Sequence, residues 1–320
     1  MIIDDVKDLK KSIDKKKVYS KYDRLPKGSA PDTITPGCLV LEGGAFRGCY
    51  TTGVLDCLMR HGLNFECTVG VSAGALNGYN YAAGQIGRAA RFNLGFRHDS
   101  RYVGLKASIR NKGAIGFDFL FENYPDAIEP FDEERFSDPR RRFIAVATDC
   151  ETGETAYLEK GKVSDITKAV AASASMPFIS KMVELDGHKY LDGGISDKIG
   201  YSFALKEGYE KIIVVNTRPA DFRKKDNGSD RRTAKVIYGK KYPSLTEKLS
   251  HVIEMENEER DELELLAASG RVFMLSPSKT ISVGRLEPDM EKLGRLYALG
   301  YHDAKTALPK IREYLAKEVN

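Results

Sequence analysis

Ser72 lies in Gly70-Val71-Ser72-Ala73-Gly74, and earlier in the chain runs Gly43-Gly44-Ala45-Phe46-Arg47-Gly48. A Gly-x-Ser-x-Gly pentapeptide sets serine on a sharp strand-to-helix turn, where the flanking glycines let backbone pass close without Cβ clashes. The hydroxyl then projects from the turn, beside a helix N-terminus that favours negative charge. The glycine-rich stretch offers exposed backbone N–H groups, which suit an oxyanion or a phosphate equally. Acyl transfer needs both parts: a nucleophile, and preorganised donors for the charge that develops on the attacked carbonyl.

The phosphate alternative can be weighed on the same residues. A dinucleotide fold requires Gly-x-Gly-x-x-Gly and an acid at the end of the second strand. Here Ala45 takes the middle glycine's place, and the second strand runs into Gly70-Val71-Ser72. Gly-Lys-Ser/Thr, the mark of a phosphate loop, does not occur either. The acyl-transfer reading survives, and it calls for no cofactor.

Such a serine needs a base, and two kinds are available. Ser72, Asp149 and His188 follow the chain order of a hydrolase triad. Alternatively, Tyr190-Leu191-Asp192-Gly193-Gly194 ends a strand in a carboxylate followed by two glycines that permit close backbone approach. Each has a bland explanation: Asp-Gly is a strong hairpin signal, and Asp186-Gly187-His188-Lys189 reads as an exposed hairpin tip.

The elements that must position these residues follow from periodicity. Cys38-Leu39-Val40-Leu41 reads as a strand into the glycine-rich turn, and Val54, Leu55, Leu58 and Met59 recur at helical spacing until His61-Gly62. Phe65 to Val69 is a second strand entering Ser72, with a small-residue helix after it. Further strands are predicted at Phe143 to Ala147, Tyr190-Leu191, Ile212 to Val215 and Val272 to Leu275. Near-continuous apolar runs separated by helical stretches predict a three-layer α/β/α sandwich around a mostly parallel sheet. Leu245 to Leu266 and Tyr301 to Val319 read as amphipathic helices packed outside it. The stretch 92–139 fits the alternation poorly. Its Phe96, Tyr102, Phe117, Phe119, Phe121 and Tyr124 suit either a mobile apolar cover or a satellite hydrophobic cluster. The expected organisation is an N-terminal extension over 1–36, a catalytic domain over 37–275 and a C-terminal helical extension over 276–320.

Composition narrows the compartment and the partners. With 42% hydrophobic and 30% charged residues among 320, disorder is excluded as the overall description. No apolar run reaches membrane-spanning length, and the first residues lack a signal-peptide design, so a cytoplasmic location is expected. Five cysteines without Cys-x-x-Cys spacing and five histidines without His-x-x-x-His spacing predict no metal site and no disulfide framework. Between Arg218 and Lys241 stand nine basic residues against three acids, an excess larger than the whole chain's +4. Such a run is a solvated loop or a contact for an anionic surface. Given the acyl chemistry, an anionic membrane at its inner face is the expected partner and nucleic acid is not.

Taken together, the motifs resemble the patatin-like phospholipases, whose marks are a glycine-rich oxyanion loop, a Gly-x-Ser-x-Gly serine and an Asp-Gly-Gly/Ala aspartate. The resemblance runs from about Cys38 to Leu275 and includes Leu41 to Gly48, Gly70 to Gly74, Ala174-Ser175-Met176-Pro177 and Leu191 to Gly194. It implies a Ser72 nucleophile with Asp192 as base and no histidine. The implied oxyanion hole is Gly43, Gly44 and Ala45, supported by Arg47, Gly48, Gly70, Gly74, Gly193 and Gly194. The implied substrate is a phospholipid, lysophospholipid or acylglycerol ester. Ala45 departs from the family's third glycine; a negative φ there is expected, leaving the N–H direction unchanged. Arg47 either pairs with a carboxylate or meets substrate. A triad esterase and a catalytically idle lipid-binding protein are the competing readings.

Overall fold

The computed structural model describes residues 17–103, 113, 115–123, 128–226 and 228–318. Residues 1–16 of the expected N-terminal extension, and Tyr124 of the aromatic stretch, lie outside the described residues. The chain enters through β1 (Gly28–Ser29) and β2 (Thr35–Leu41), turns through the glycine-rich loop into α1 (Gly48–Arg60), and returns as β3 (Phe65–Val71). Then follow α2 (Ala73–Ala82), β4 (Gln85–Ile86), α3 (Arg88–Phe96) and α4 (Glu133–Ser137). The next run is β5 (Arg142–Asp149), β6 (Thr155–Glu159), α5 (Ile166–Ser173) and the hairpin β7 (Val183–Leu185) with β8 (His188–Asp192). The last elements are α6 (Tyr201–Lys206), β9 (Ile212–Val215), α7 (Ser229–Ile237), α8 (Pro243–Ala268), β10 (Phe273–Leu275) and α9 (Met290–Ala316).

Strands β10, β9, β2, β3 and β5 pair in parallel, in that order, and β6, β8 and β7 add antiparallel edges. The parallel strands are buried on both faces, which is why they read as unbroken apolar runs. Leu39, Leu41, Ile213 and Val215 face a cluster shared with α1 and α9, while Cys38, Val40, Ile212 and Val214 face one shared with α6 and Leu263 of α8. The molecule is therefore a three-layer α/β/α sandwich with a mostly parallel centre. All five cysteines are buried and unpaired. Among the described residues no helix is long and apolar enough to cross a membrane.

Helix starts follow local chemistry. Asp165 caps α5 by accepting from the N–H groups of Thr167 and Lys168, Asp289 does the same for α9, and Pro243 opens α8. Helix α9 begins well before the expected Tyr301 and crosses α1 at backbone contact: a Cβ on Gly53 would lie 2.0 Å from the Tyr297 carbonyl oxygen. The C-terminal helix is thus part of the wall that holds the glycine-rich loop and α1 in place.

The topology also explains how two distant motifs meet. Strand β3 pairs with β5 up to Val71 opposite Val146, and the next residue of β5, Ala147, pairs with Asp192 of β8. Because β6 covers the other edge of β5 at Ala147 and Thr148, β8 lies on the same edge as β3. The two strands run toward each other and end nose to nose, with Ser72 and Asp192 at the junction.

Candidate active site

Ser72 leaves β3 with φ 56° and ψ −119°, a left-handed conformation that non-glycine residues rarely adopt. Its neighbours are shaped to allow it. A Cβ on Gly70 would lie 2.5 Å from the backbone of Gly74 and Ala75, and one on Gly74 would lie 2.1 Å from the Leu41 carbonyl oxygen. The Ser72 N–H donates to Ser173 Oγ at 2.9 Å, so the end of α5 fixes the turn from behind. Sequence reasoning missed Ser173; the one available signal was its position just before the small-residue stretch Ala174 to Pro177.

Asp192 is buried, 6% exposed, and each carboxylate oxygen has a donor. Oδ2 accepts from Ser72 Oγ at 2.7 Å and Oδ1 from the Gly194 N–H at 2.8 Å. Its own N–H donates to the Ser175 carbonyl, and Thr148 Oγ1 donates to its carbonyl oxygen. Gly193 must lack a side chain, since a Cβ there would lie 2.2 Å from the Val146 carbonyl oxygen. Burial raises the Asp192 carboxyl above the ordinary aspartate range, opposed by the charge of Lys198 and by the bonds from Ser72 and Gly194.

The glycine-rich loop packs over Ser72. A Cβ on Gly43 would lie 3.2 Å from Ser72 Cβ, and one on Gly44 would lie 2.6 Å from Thr217 Oγ1. The loop is anchored below by Glu42, which is held by Arg260 and by the Thr217 N–H, and by Thr217 Oγ1 donating to the Gly43 carbonyl. Gly48 O accepts from Asn77 Nδ2 at 2.9 Å, tying α1 to α2. The Gly43 N–H faces the Lys198 carbonyl at 3.5 Å, whereas those of Gly44 and Ala45 meet no protein acceptor among the described residues.

The expectation of a negative φ at Ala45 is wrong: the angle is 49°. Gly44 is extended, at φ −178°, and pressed against Thr217, so the reversal into the 3-10 turn Ala45–Arg47 falls on the next residue. A left-handed alanine costs roughly 1–2 kcal/mol. Arg47 is half-buried and pairs with no carboxylate among the described residues; its Nε is buried without a hydrogen-bond partner.

The proposed acid and histidine of a triad do meet each other, but not the serine. His188 Nδ1, on an exposed side chain, lies 2.9 Å from Oδ2 of the buried Asp149, which also accepts from the N–H groups of Glu151 and Thr152. His188 opens β8 and Asp192 closes it, and four residues of strand span about 13 Å.

Two cavities share Ser72, Ala45 and Met176 in their walls. One, a narrow cavity of about 50 Å³, is apolar, walled by Phe92, Tyr102, Ile115 and Leu120 among others. From the stretch 92–139, then, Phe92, Asn93, Tyr102, Ile115 and Leu120 line it: Phe92, Phe96, Tyr102 and Phe119 belong to the main core, while Ile115 and Leu120 are only partly buried. The other, of about 350 Å³, is the more polar, with Arg47, Lys198, Arg218, Lys224 and Arg285 in its wall. Of the basic run, then, Arg218 and Lys224 line this cavity, and Arg223 pairs with Asp261 and Glu264.

Comparison with known proteins agrees with this geometry. The profile of the patatin-like phospholipase family matches residues 39–205, and that of a domain of unknown function, DUF6363, matches residues 242–316. Uncharacterized protein YjjU of Escherichia coli K12 is 31% identical over 185 residues, covering 57% of this chain and 52% of that protein. The uncharacterized NTE family protein Mb1092c of Mycobacterium bovis is 28% identical over 161 residues, covering 50% and 43% respectively. The chain therefore spans about half the length of these curated relatives. Among solved structures, VipD from Legionella pneumophila superposes with a TM-score of 0.46 at 12% identity, over 88% of this chain and 68% of that one. The family profile covers more than half of the chain and contains the glycine-rich loop, the serine turn and the Asp-Gly-Gly segment: the protein belongs to the patatin-like phospholipase family.

Proposed function

We propose that the protein is a serine hydrolase of lipid carboxylic esters working through a Ser72–Asp192 dyad. The observation that carries this reading is the 2.7 Å hydrogen bond from Ser72 Oγ to Asp192 Oδ2, buried between an apolar cavity and a polar one. A solvated aspartate is a feeble base near pH 7, and burial is what strengthens this one. Asp192 takes the Ser72 proton as Oγ adds to the ester carbonyl, and the oxyanion formed faces the free N–H groups of Gly44 and Ala45. Collapse expels the alcohol, which carries off the proton held by Asp192, and leaves the acyl group on Oγ. Asp192 then accepts a proton from water as hydroxide adds to the acyl carbonyl. Release of the fatty acid returns that proton to Ser72. The acyl chain occupies the apolar cavity. The test is adduct mapping with a fluorophosphonate, followed by ester hydrolysis: Ser72 carries the adduct, and Ser72→Ala and Asp192→Asn each abolish turnover. A protein that leaves Ser72 unlabelled and esters intact is an idle binder.

The same reading includes peripheral contact with an anionic membrane at its cytoplasmic face. Val236 and Ile237 of α7 are 86% and 52% exposed, beside exposed Arg231, Arg232, Lys235, Lys240 and Lys241. Tyr238, next in sequence, stacks under Phe178 of the polar cavity's wall, so the patch sits near the site. Apolar tips within a basic ring suit an anionic bilayer surface. Binding to phosphatidylglycerol vesicles should fall with salt and with Val236→Glu; binding indifferent to both refutes the contact.

A further inference from the structure

We propose that the polar cavity beside Ser72 is a subsite for a phosphate group without a cationic companion, so that the substrate is an acyl ester whose alcohol carries an anionic phosphate, a lysophosphatidic acid-like lipid. The inference rests on the hydrolase reading above and adds what lies on the alcohol side of the scissile bond.

The cavity wall holds three arginines with no carboxylate partner among the described residues: Arg47, Arg218 and Arg285. Arg47 and Arg218 are half-buried and Arg285 stands exposed at the rim. The wall's carboxylates are already engaged. Glu42 and Glu256 both bind Arg260, which lies behind them, and Glu256 also faces Lys224 at 3.8 Å. Asp192 belongs to Ser72, with Lys198 as its nearest countercharge. The surplus is cationic, and its members repel one another. Burial pushes the Arg47 guanidinium down to about 10, and the charges of Arg218 and Arg285 press the same way, opposed by those of Glu42 and Glu256. Arg218 is likewise lowered by burial. Half-buried cations that face each other across a cavity are costly unless an anion joins them. A phosphate answers guanidinium forks with charge-assisted hydrogen bonds.

A choline or ethanolamine headgroup is poorly matched to this wall. Its ammonium needs a free carboxylate or an open aromatic face. The carboxylates are taken, the cavity's Phe222 ring already carries the Arg218 guanidinium at 4.4 Å and that of Arg260 at 5.3 Å, and its other ring, Phe178, stacks on Tyr238. The cavity meets the apolar one at Ser72 and Ala45, so one molecule can place its acyl chain on one side, its ester at Ser72 and its phosphate on the other.

The experiment compares kcat/KM of the full chain on dodecanoyl lysophosphatidic acid, dodecanoyl lysophosphatidylcholine and monododecanoylglycerol, all as monomers, with p-nitrophenyl butyrate as the check on the hydrolase reading itself. The phosphomonoester should be preferred over the other two lipids by about tenfold or more, and Arg218→Gln/Arg285→Gln should erase that preference. Arg285 is exposed, so Arg285→Gln alone cannot act through folding, and it should shrink the preference several-fold. Calorimetric titration with glycerol 3-phosphate reads the subsite without catalysis: heat of binding lost in the double variant supports it even if no ester is cleaved. Equal rates on the three lipids, a preference untouched by the arginine variants, or no binding of glycerol 3-phosphate overturns the subsite while leaving p-nitrophenyl butyrate hydrolysis intact. Inorganic phosphate binding as tightly as glycerol 3-phosphate, with no lipid preference, makes the cavity a free-phosphate site and overturns the headgroup assignment.

Discussion

Ser173→Ala removes one oxygen that touches neither substrate cavity wall nor Asp192, yet it should slow acylation. Ser173 Oγ accepts the Ser72 N–H at 2.9 Å, and both groups are buried. Without it the N–H is left unpaired in the interior, which costs about 1–3 kcal/mol. The backbone it secures is already strained, at φ 56°, and so has an unstrained conformation to relax toward. If the whole cost falls on the position of Oγ, the rate of fluorophosphonate labelling drops about 5- to 150-fold, at 1.36 kcal/mol per tenfold. The loss should appear in kcat with KM little changed, because neither cavity is altered. Ser173→Cys, whose sulfur is a weaker acceptor, should fall between alanine and wild type. Ser175→Ala is the control: Ser175 Oγ donates to the Ala171 carbonyl inside the helix end and supports nothing at Ser72. Stability should fall by a few degrees in Tm for Ser173→Ala. Labelling of Ser173→Ala at the wild-type rate, in a protein of reduced Tm, would refute the positioning role and leave Ser173 as a packing residue.

Three further outcomes are expected. Asp192→Asn should abolish hydrolysis and yet raise Tm near pH 7. Burial lifts the folded-state pKa of Asp192 above its unfolded value, so its stabilising contribution is complete below the ordinary aspartate range and is lost as pH rises through the folded pKa. The Tm gap between Asp192→Asn and wild type should therefore open with rising pH and close in acid; a gap independent of pH counts against a buried ionised Asp192. Ala45→Gly removes roughly 1–2 kcal/mol of left-handed strain but frees the unfolded chain by about 0.4–1 kcal/mol, so urea unfolding should show neutrality or a gain of up to about 1.6 kcal/mol. His188→Ala breaks the pair between exposed His188 and buried Asp149, leaves Asp149 its bonds from the Glu151 and Thr152 N–H groups, and should leave ester turnover within about twofold; collapse of turnover would restore the triad.

What the sequence could reveal of this site depended on how local each cause was. Gly70 and Gly74 are required by contacts within a few residues and with the adjacent strand, so the elbow is legible as a pentapeptide. The apolar runs of β2, β3, β5 and β9 are legible because both faces of each strand are buried. The meeting of Ser72 with Asp192 is set by β3 and β8 ending against the same edge of β5, a register that no stretch of sequence contains. Gly44, just before the left-handed Ala45, packs on Thr217, far along the chain, and the arginines of the polar cavity come from three separated segments. Arg218 was visible as part of a basic run, but whether such a residue points inward depends on which acids meet its neighbours. Arg223 finds Asp261 and Glu264, and Arg218 finds none among the described residues.

The distribution of backbone strain gives an argument for function that uses neither motif nor relative. Among the described residues four that are not glycine have positive φ: Ala45, Ser72, Phe178 and Asp186. Asp186 sits with Gly187 at the β7–β8 hairpin tip, where Asp-Gly turns take such angles at little cost. The other three line the polar cavity. Each is held by something outside its own turn: Ser72 by Ser173, Ala45 by the loop pressed on Thr217, Phe178 by Tyr238, whose hydroxyl accepts its N–H at 3.0 Å. At roughly 1–3 kcal/mol each, these residues oppose folding by an amount comparable to much of a protein's net stability. Glycine would relieve the strain at Ala45 and Phe178, but it would also loosen the loop that offers free N–H groups and remove a ring from the cavity wall. Strain confined to one cavity, and enforced from three directions around one serine, is what a site organised for binding a developing anion requires, and packing alone gives no reason for it.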